Sequence, residues 1–370
     1  MTEWIKCKIS DIGTVVGGAT PPTKKTENYE NGNISWITPK DLSSFNGRYI
    51  EHGERNITEV GLKSCHTQLM PKNSVLFSSR APIGYVAIAA KEMCTNQGFK
   101  SIIPNENTDS LFLYYLLKYN KDKIENMGSG TTFKEVSGTI MNNIVVSVPT
   151  DKQIQVKISS FLGVIDDKIE ENEKINNNLE QQTQAIYSRM FIEHRQESWS
   201  TGQLSDLISV KYGKDHKKLA DGNYPVYGSG GIIRYVEKPL HTGESVLIPR
   251  KGTLNNVIYV NEAFWSVDTM FYTEMLHPNI AKFVYHFVKS KDLASLNAGS
   301  AVPSMTTNIL NAMQLYIPDE KTLEKFENIV SPMYSAMQEN TKESKILANT
   351  RDTLLPKLMS GELDVSDIDL

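Results

Sequence analysis

Ser74-Val75-Leu76-Phe77-Ser78-Ser79-Arg80 and Ser245-Val246-Leu247-Ile248-Pro249-Arg250 are two versions of one pattern, a short apolar run closed by an arginine. Runs of this length and composition, bounded by polar residues, read as buried strands. Working outward, the same doubling recurs on both sides. Lys8-Ile9-Ser10-Asp11-Ile12 returns as Gln203-Leu204-Ser205-Asp206-Leu207, and Asn33–Ile37 resembles Asn223–Tyr227. The helical pattern LFLYYLLK at 111–118 matches KFVYHFVK at 282–289. Gly128-Ser129 matches Gly299-Ser300, and a closing strand at Ile144–Pro149 matches Gln314–Pro318. All six pairs fall in the same order. Their separation of about 170–195 residues is too long for a solenoid repeat and marks a duplicated domain.

Each copy then runs into a helix. In the first, Ile158, Leu162, Ile165, Ile169, Asn172, Asn176, Leu179, Thr183, Ile186 and Met190 are spaced alternately by four and three. In the second, Phe326, Val330, Met333, Met337, Asn340, Ser344, Leu347, Arg351, Leu354 and Leu358 repeat that spacing. A seam sustained this long predicts a coiled coil. Asn172 and Asn340 fall at the same place in the two copies, where a buried amide fixes register because only a polar partner satisfies it. Pro332 and Pro356 are expected to kink the second helix or set its limits. The expected fold is α+β: two similar globular domains joined by two long antiparallel coiled-coil helices about a pseudo-two-fold axis. A helix of some 40 residues is about 60 Å long, so the modules are expected at opposite ends of a stiff spacer. The expected partition is 1–150, a central helix at 151–197, 198–318, a C-terminal helix at 319–360, and a tail at 361–370.

The net charge of −4 argues at first against nucleic acid. It hides a partition. Residues 1–150 and 200–318 each carry +2, whereas 151–199 and 319–370 carry −3 and −5. Two mildly basic modules alternate with acidic connectors, which permits DNA contact by the modules and implies that partners supply much of the phosphate affinity. No apolar run approaches the roughly 18–20 residues needed to cross a bilayer, and MTEWIKCKIS lacks the pattern of a secretory signal, so a cytoplasmic location is expected. Cys7, Cys65 and Cys94 are too few and too scattered for a disulfide framework.

In the order of its segments the chain resembles the specificity subunit of type I restriction–modification enzymes. The likeness covers nearly the whole chain: ISDIG with the following GG-T-P, ISWITPKDL, NSVLFSSRAPIGYVAI, the GSG-T loop, and the helix after Asp151. In the second half it rests on NYPVYGSGGIIRY, GESVLIPRKGTLNNVIYV and LLPKLMSGEL. The helix starts, PTDKQIQVKI and PDEKTLEKF, depart from the Pro-Pro-x-x-Glu-Gln-like run common in that family. The resemblance implies two target-recognition domains, each reading half of a split site in double-stranded DNA. It also implies helices that act as spacer and dock two methyltransferase subunits, with a separate restriction and translocase subunit. It implies no cofactor in this chain, with S-adenosylmethionine, ATP and Mg²⁺ on the partner subunits. The competing expectation is a coiled-coil interaction scaffold that never touches bases.

Catalytic machinery is not legible. The only Pro-Pro pair, Pro21-Pro22, follows Thr20 and is no base-flipping motif, and no G-x-x-x-x-G-K-[ST] run is present. Pro318-Asp319 with Glu343-Ser344-Lys345 spells a Mg²⁺-nuclease spacing. On a straight helix, however, its two ends lie about 36 Å apart and cannot share one ion. The seven histidines show no metal-ligand spacing.

Base edges are read by Arg, Lys, Asn, Gln, Ser and Thr, and phosphates by Lys, Arg and backbone N–H groups. Three repeated places supply these types. The loop after the apolar strand carries Ser78, Ser79 and Arg80 in one copy, and Arg250, Lys251 and Asn255 in the other. The Gly-Ser loop carries Ser129, Thr131, Thr132 and Lys134, matched by Ser300, Ser304 and Thr306. After the early strand come Thr38 and Lys40, matched by Tyr227 and Ser229. These seventeen residues are the expected DNA contacts.

Overall fold

In the computed structural model the chain forms two compact units, Met1–Lys174 with Asn340–Leu370, and Ile175–Glu339. Residues 2–130, 134–296 and 304–366 are described. Among them, the first unit holds a five-stranded sheet in the order Gly13–Gly17, Lys100–Pro104, Val75–Ser79, Ile83–Ala89, Tyr49–Ile50. A three-stranded sheet of Asn56–Ile57, Ile34–Ile37 and Met93–Thr95 lies in the same unit, with a ribbon pairing Trp4–Lys8 and Val145–Pro149. The second unit holds a six-stranded sheet, Ile208–Tyr212, Met270–Met275, His241–Pro249, Ile258–Ser266, Asp221–Gly228, Gly231–Val236. Its ribbon pairs Ser200–Gln203 with Gln314–Ile317.

The repeat read from sequence is a repeat of topology. The two apolar runs lie in Val75–Ser79 and His241–Pro249, and each pairs antiparallel with the strand that follows it. The early strands run parallel to their partners in both copies, Ser35 opposite Met93 and Val226 opposite Trp265. LFLYYLLK forms the helix Ser110–Tyr119, and KFVYHFVK forms Ala281–Lys289. Both are buried on nearly every side, the first through an almost unbroken apolar sequence and the second with Lys282 paired to Glu244 and Glu327. The copies differ between the early strand and the apolar run. There the first unit inserts the short helices Pro39–Ser43 and Glu59–Lys63, while the second turns tightly from Gly228 to Gly231.

Two long helices complete both units. The central helix spans Lys152–Tyr187, and the C-terminal helix spans Glu320–Ser360. Their starts are built alike: Asp151 accepts from the Gln153 amide at 2.8 Å, and Asp319 from the Thr322 amide at 2.9 Å. The central helix closes in a π-helical turn, Ser188–Glu193, and the C-terminal helix ends before Gly361, whose φ of +76° suits glycine. Pro332 and Pro356 do not limit the second helix, which runs through both. Each removes one backbone donor and crowds the carbonyl of the preceding turn, a cost offset by packing along the rest of the helix.

Every seam position named from the sequence is buried or half-buried. In the first unit Ile158 and Leu162 join a core with Phe77, Phe112, Leu358 and Met359; in the second, Phe326 and Val330 join one with Tyr187, Phe191 and Phe283. Each such side chain contributes about 1.5–3 kcal/mol of burial. As residue number rises on one helix it falls on the other, so the pairing is antiparallel in both units. In the first, Asp166 meets Arg351 at 2.6 Å, and Asn172 reaches Glu343 at 2.7 Å and Ser344 at 3.3 Å. In the second, Asn176 donates to the Met337 carbonyl at 3.2 Å. Asn172 is fully buried on the seam, as its heptad position predicts.

In each unit the sheet-bearing body and the helices are tied by polar groups at equivalent places. In the first unit Tyr115 donates to Asp166 at 2.6 Å. Arg48, 4 % exposed, binds Glu170 at 2.9 Å and the Gly163 carbonyl at 3.2 Å, and also pairs with Asp167. In the second unit His286 stands where Tyr115 does. Its Nδ1 is 2.9 Å from Gln184 Oε1 and its Nε2 is 2.9 Å from the Tyr334 hydroxyl.

Burial pushes the His286 pKa down to about 4, from an ordinary 6.5. Between those values the unfolded chain binds a proton that the folded one refuses. This group's contribution to stability is therefore complete above pH 6.5 and lost as pH falls toward 4, by about 3 kcal/mol. Urea unfolding at pH 7 and pH 5 tests this: the transition of the wild type should move to lower urea at pH 5, and that of His286→Gln should move markedly less.

Candidate nucleic-acid interface

The loops singled out in the sequence adjoin within each unit. In the first, the strand Val75–Ser79 delivers Arg80 against the segment around Glu135. The Val136 amide donates to the Ser79 carbonyl at 3.0 Å, and Ser129 and Glu135 exchange backbone hydrogen bonds at 3.0 and 2.9 Å. Arg80 Nη1 lies 3.6 Å from Glu135 Oε2, and Lys100 Nζ lies 3.5 Å from Oε1. The third place joins through Gly98. Its carbonyl accepts from the Ser79 amide at 2.7 Å, and a Cβ there would stand 2.8 Å from Pro39 Cγ. Thr38 caps the helix Pro39–Ser43 and shares Asp41, its amide donating at 2.7 Å and its hydroxyl at 2.6 Å. Lys40 pairs with Glu54 at 2.6 Å, which raises its pKa.

The second unit repeats the arrangement. Lys251 bridges to Ser304, and the Met305 amide donates to the Arg250 carbonyl at 2.9 Å. The Arg250 guanidinium lies 5.4 Å from the Tyr212 ring centroid, and its Nη1 lies 3.4 Å from the Asp268 carbonyl. Asn255 donates to Asp292 at 3.0 Å and accepts from the Ala294 amide at 3.0 Å. The hydrogen bond from Asn255 holds the Asp292 carboxyl below its usual range. Asn256 donates to the Ser229 carbonyl at 2.7 Å, bringing the hairpin turn to this loop. Thr306 caps the helix Thr307–Asn311, accepting from the Ile309 amide at 3.3 Å.

Exposure sorts the expected contacts. Lys40, Ser129, Lys134, Lys251, Asn255 and Thr306 are exposed, and Thr38, Arg80, Ser229, Arg250 and Ser304 are half-buried. Ser78, Ser79 and Tyr227 lie inside. Ser78 accepts from the Tyr85 amide and donates to the Pro82 carbonyl, both at 2.8 Å. Tyr227 donates to Glu262 at 2.6 Å, and burial followed by that carboxylate raises its pKa. Thr131, Thr132 and Ser300 fall outside the described residues. Sequence reasoning missed Glu135, which holds two cations, and Asn256, which joins two loops; neither stands in a repeated pair, so the repeat gave no signal for them.

Among the described residues no group of three His, Cys, Asp or Glu side chains could hold a metal ion. Asp319, half of the nuclease-like spacing, caps a helix and accepts from the Trp199 indole at 3.2 Å, while Glu343 serves Asn172. Among the described residues no helix is long and apolar enough to cross a membrane.

Two copies of one α+β unit, each gathering basic and polar side chains where three loops meet, define a class of duplicated nucleic-acid reader. Residues 1–181 and 196–347 match the family described as the type I restriction modification DNA specificity domain. The chain is 29 % identical to the type I restriction enzyme MjaIX specificity subunit of Methanocaldococcus jannaschii over 99 % of its own length and 95 % of that protein. It is 24 % identical to the EcoprrI specificity subunit of Escherichia coli, covering 89 % of this chain and 88 % of that one. Its fold is similar to the crystal structure of the type I restriction–modification S subunit from M. genitalium, with a TM-score of 0.63 at 19 % identity, over 97 % and 96 % of the two chains. This chain belongs to the specificity-subunit family of type I restriction–modification enzymes. It determines the DNA sequence that such an enzyme targets and is its non-catalytic subunit.

One glycine in each copy allows a close approach of two backbone segments. A Cβ at Gly18 would stand 2.1 Å from the Asn96 carbonyl oxygen, and one at Gly213 would stand 2.0 Å from that of Val267. These are backbone atoms that cannot rotate away. Gly18→Ala and Gly213→Ala should each destabilise the protein by about 1–3 kcal/mol in urea unfolding. Wild-type stability in both would show that these contacts do not constrain the loops.

Proposed function

We propose that residues 1–150 and 198–318 are two target-recognition domains, each reading one half of a split site in double-stranded DNA. The helices at 151–197 and 319–360 are the spacer and the docking surface for two methyltransferase subunits, with a restriction and translocase subunit completing the complex, and 361–370 form a tail. S-adenosylmethionine, ATP and Mg²⁺ belong to those partners, none to this chain, and the complex works in the cytoplasm. One observation carries the reading: the same loops converge in both units, with Arg80 beside Ser129 and Glu135, and Arg250 and Lys251 beside Ser304. Duplicated geometry around different side chains is what reading two different half-sites requires.

In this reading Arg80, Ser129, Thr131, Thr132 and Lys134, with Thr38 and Lys40, face one half-site. Arg250, Lys251, Asn255, Ser300, Ser304 and Thr306, with Ser229, face the other. Ser78, Ser79 and Tyr227, being buried, act by fixing the loops. The ion pairs of Arg80 with Glu135 and of Lys40 with Glu54 hold cations that phosphates or guanine edges can recruit. A helix of 41 residues, about 60 Å long, suits half-sites separated by a fraction of a turn to two turns of DNA, at about 34 Å per turn.

Arg80→Ala and Arg250→Ala should each weaken binding of the assembled complex to its target duplex by about 1–3 kcal/mol. Lys134→Ala should weaken binding to all duplexes alike and flatten the salt dependence. Filter-binding titrations check both, and unchanged affinity in Arg80→Ala and Arg250→Ala would remove these loops from the interface.

A further inference from the structure

The hairpin that carries Ser229 presents two isoleucines to solvent. Ile232 is 49 % and Ile233 58 % exposed, immediately after a turn with Gly230 and Gly231, around both of which a Cβ would meet open space. Their strand, Gly231–Val236, is the last of its sheet. Opposite Tyr227 the ladder slips: Val226 pairs with Arg234 and Tyr227 with Ile232, leaving Ile233 as an extra, unpaired residue. Such bulges re-aim side chains and recur beside functional sites.

Two β-branched apolar side chains on an exposed edge strand invite aggregation unless a partner covers them. Their surroundings indicate the partner. The turn is held to the Arg250 loop by Asn256, which donates to the Ser229 carbonyl, and by close approach of Gly252 to Ser229. Lys251 is exposed beside it. The isoleucines thus follow directly on a turn held to a basic and polar loop, with Ile233 lying over Gly228, a setting that poorly matches a hydrophobic protein surface. In a duplex groove the one apolar group on a base edge is the thymine 5-methyl. Both β-branched side chains are stiff, so they cover a methyl with little loss of side-chain entropy.

We infer that Ile232 and Ile233 recognise thymine methyl groups in the half-site read by the second unit. This rests on the reading of that unit as a recognition domain. The test uses the full chain in its assembled complex. The target is read first by mapping modified bases, then presented as duplexes in which each thymine in turn is replaced by deoxyuridine, which lacks only the methyl. Loss of one buried methyl corresponds to about fourfold weaker binding. The wild type should show that loss at one or two positions. The Ile232→Ala/Ile233→Ala variant should bind thymine and deoxyuridine equally there, with an unchanged melting temperature. The milder Ile232→Val/Ile233→Val variant should narrow the difference. If no deoxyuridine weakens binding, or if the alanine variant keeps the wild-type preference for thymine, the assignment is wrong. Deoxyuridine sensitivity alongside an indifferent Arg250→Ala would overturn the Arg250 loop contact and leave this inference standing.

Discussion

Asp166 and Tyr334 occupy equivalent places on the two long helices, and at each a buried polar contact locks a recognition body onto its helix pair. In the first unit the contact is charged: Asp166 takes the Tyr115 hydroxyl and the Arg351 guanidinium, each at 2.6 Å. In the second it is neutral: the His286 imidazole donates to Gln184 and accepts from Tyr334. A buried polar group is tolerated only while its partner is in place. A slip of one residue along either helix would strand Asp166 or Tyr334, so register follows from these contacts and from Asn172 more than from the surrounding leucines.

That register makes the loops usable. Ser79 and Arg80 close a strand whose other end packs on the Ser110–Tyr119 helix, and that helix carries Tyr115 to Asp166. In the second unit His241–Pro249 leads to Arg250, and Ala281–Lys289 carries His286 to Tyr334. Each loop cluster is therefore connected through a strand and a helix to the seam. Loop residues vary between copies without disturbing this chain of contacts, because each loop is anchored by a few apolar side chains, Val136 in the first unit and Leu254, Val257 and Met305 in the second, while its polar residues stay outside the core.

The sequence carried the architecture well because duplication and heptad spacing are patterns of apolar position, and those survive wherever a core must be filled. Asn172 was legible for the same reason, as a polar residue in an apolar phase. The seam also hid information. The spacing gave two outcomes for Pro332 and Pro356, a kink or an end of the helix, and the helix runs on through both, since an interior proline is decided by how much packing surrounds it. At the interface the limits were different. Residue type proposed Ser78, Ser79 and Tyr227 as readers, yet strand alternation and loop packing turned them inward. Glu135 went unnoticed because an acidic residue has no place in a search for phosphate contacts. Its role in holding Arg80 and Lys100 exists only once the loops converge.

A chain built of two such units is expected to specify a target in two separated parts. Mapping every modified base in the genome of a host that carries the complex tests it most directly. The expected result is a target of two short defined sequences divided by a run of fixed length in which any base is accepted. A single uninterrupted target, or modification without a defined sequence, would contradict it.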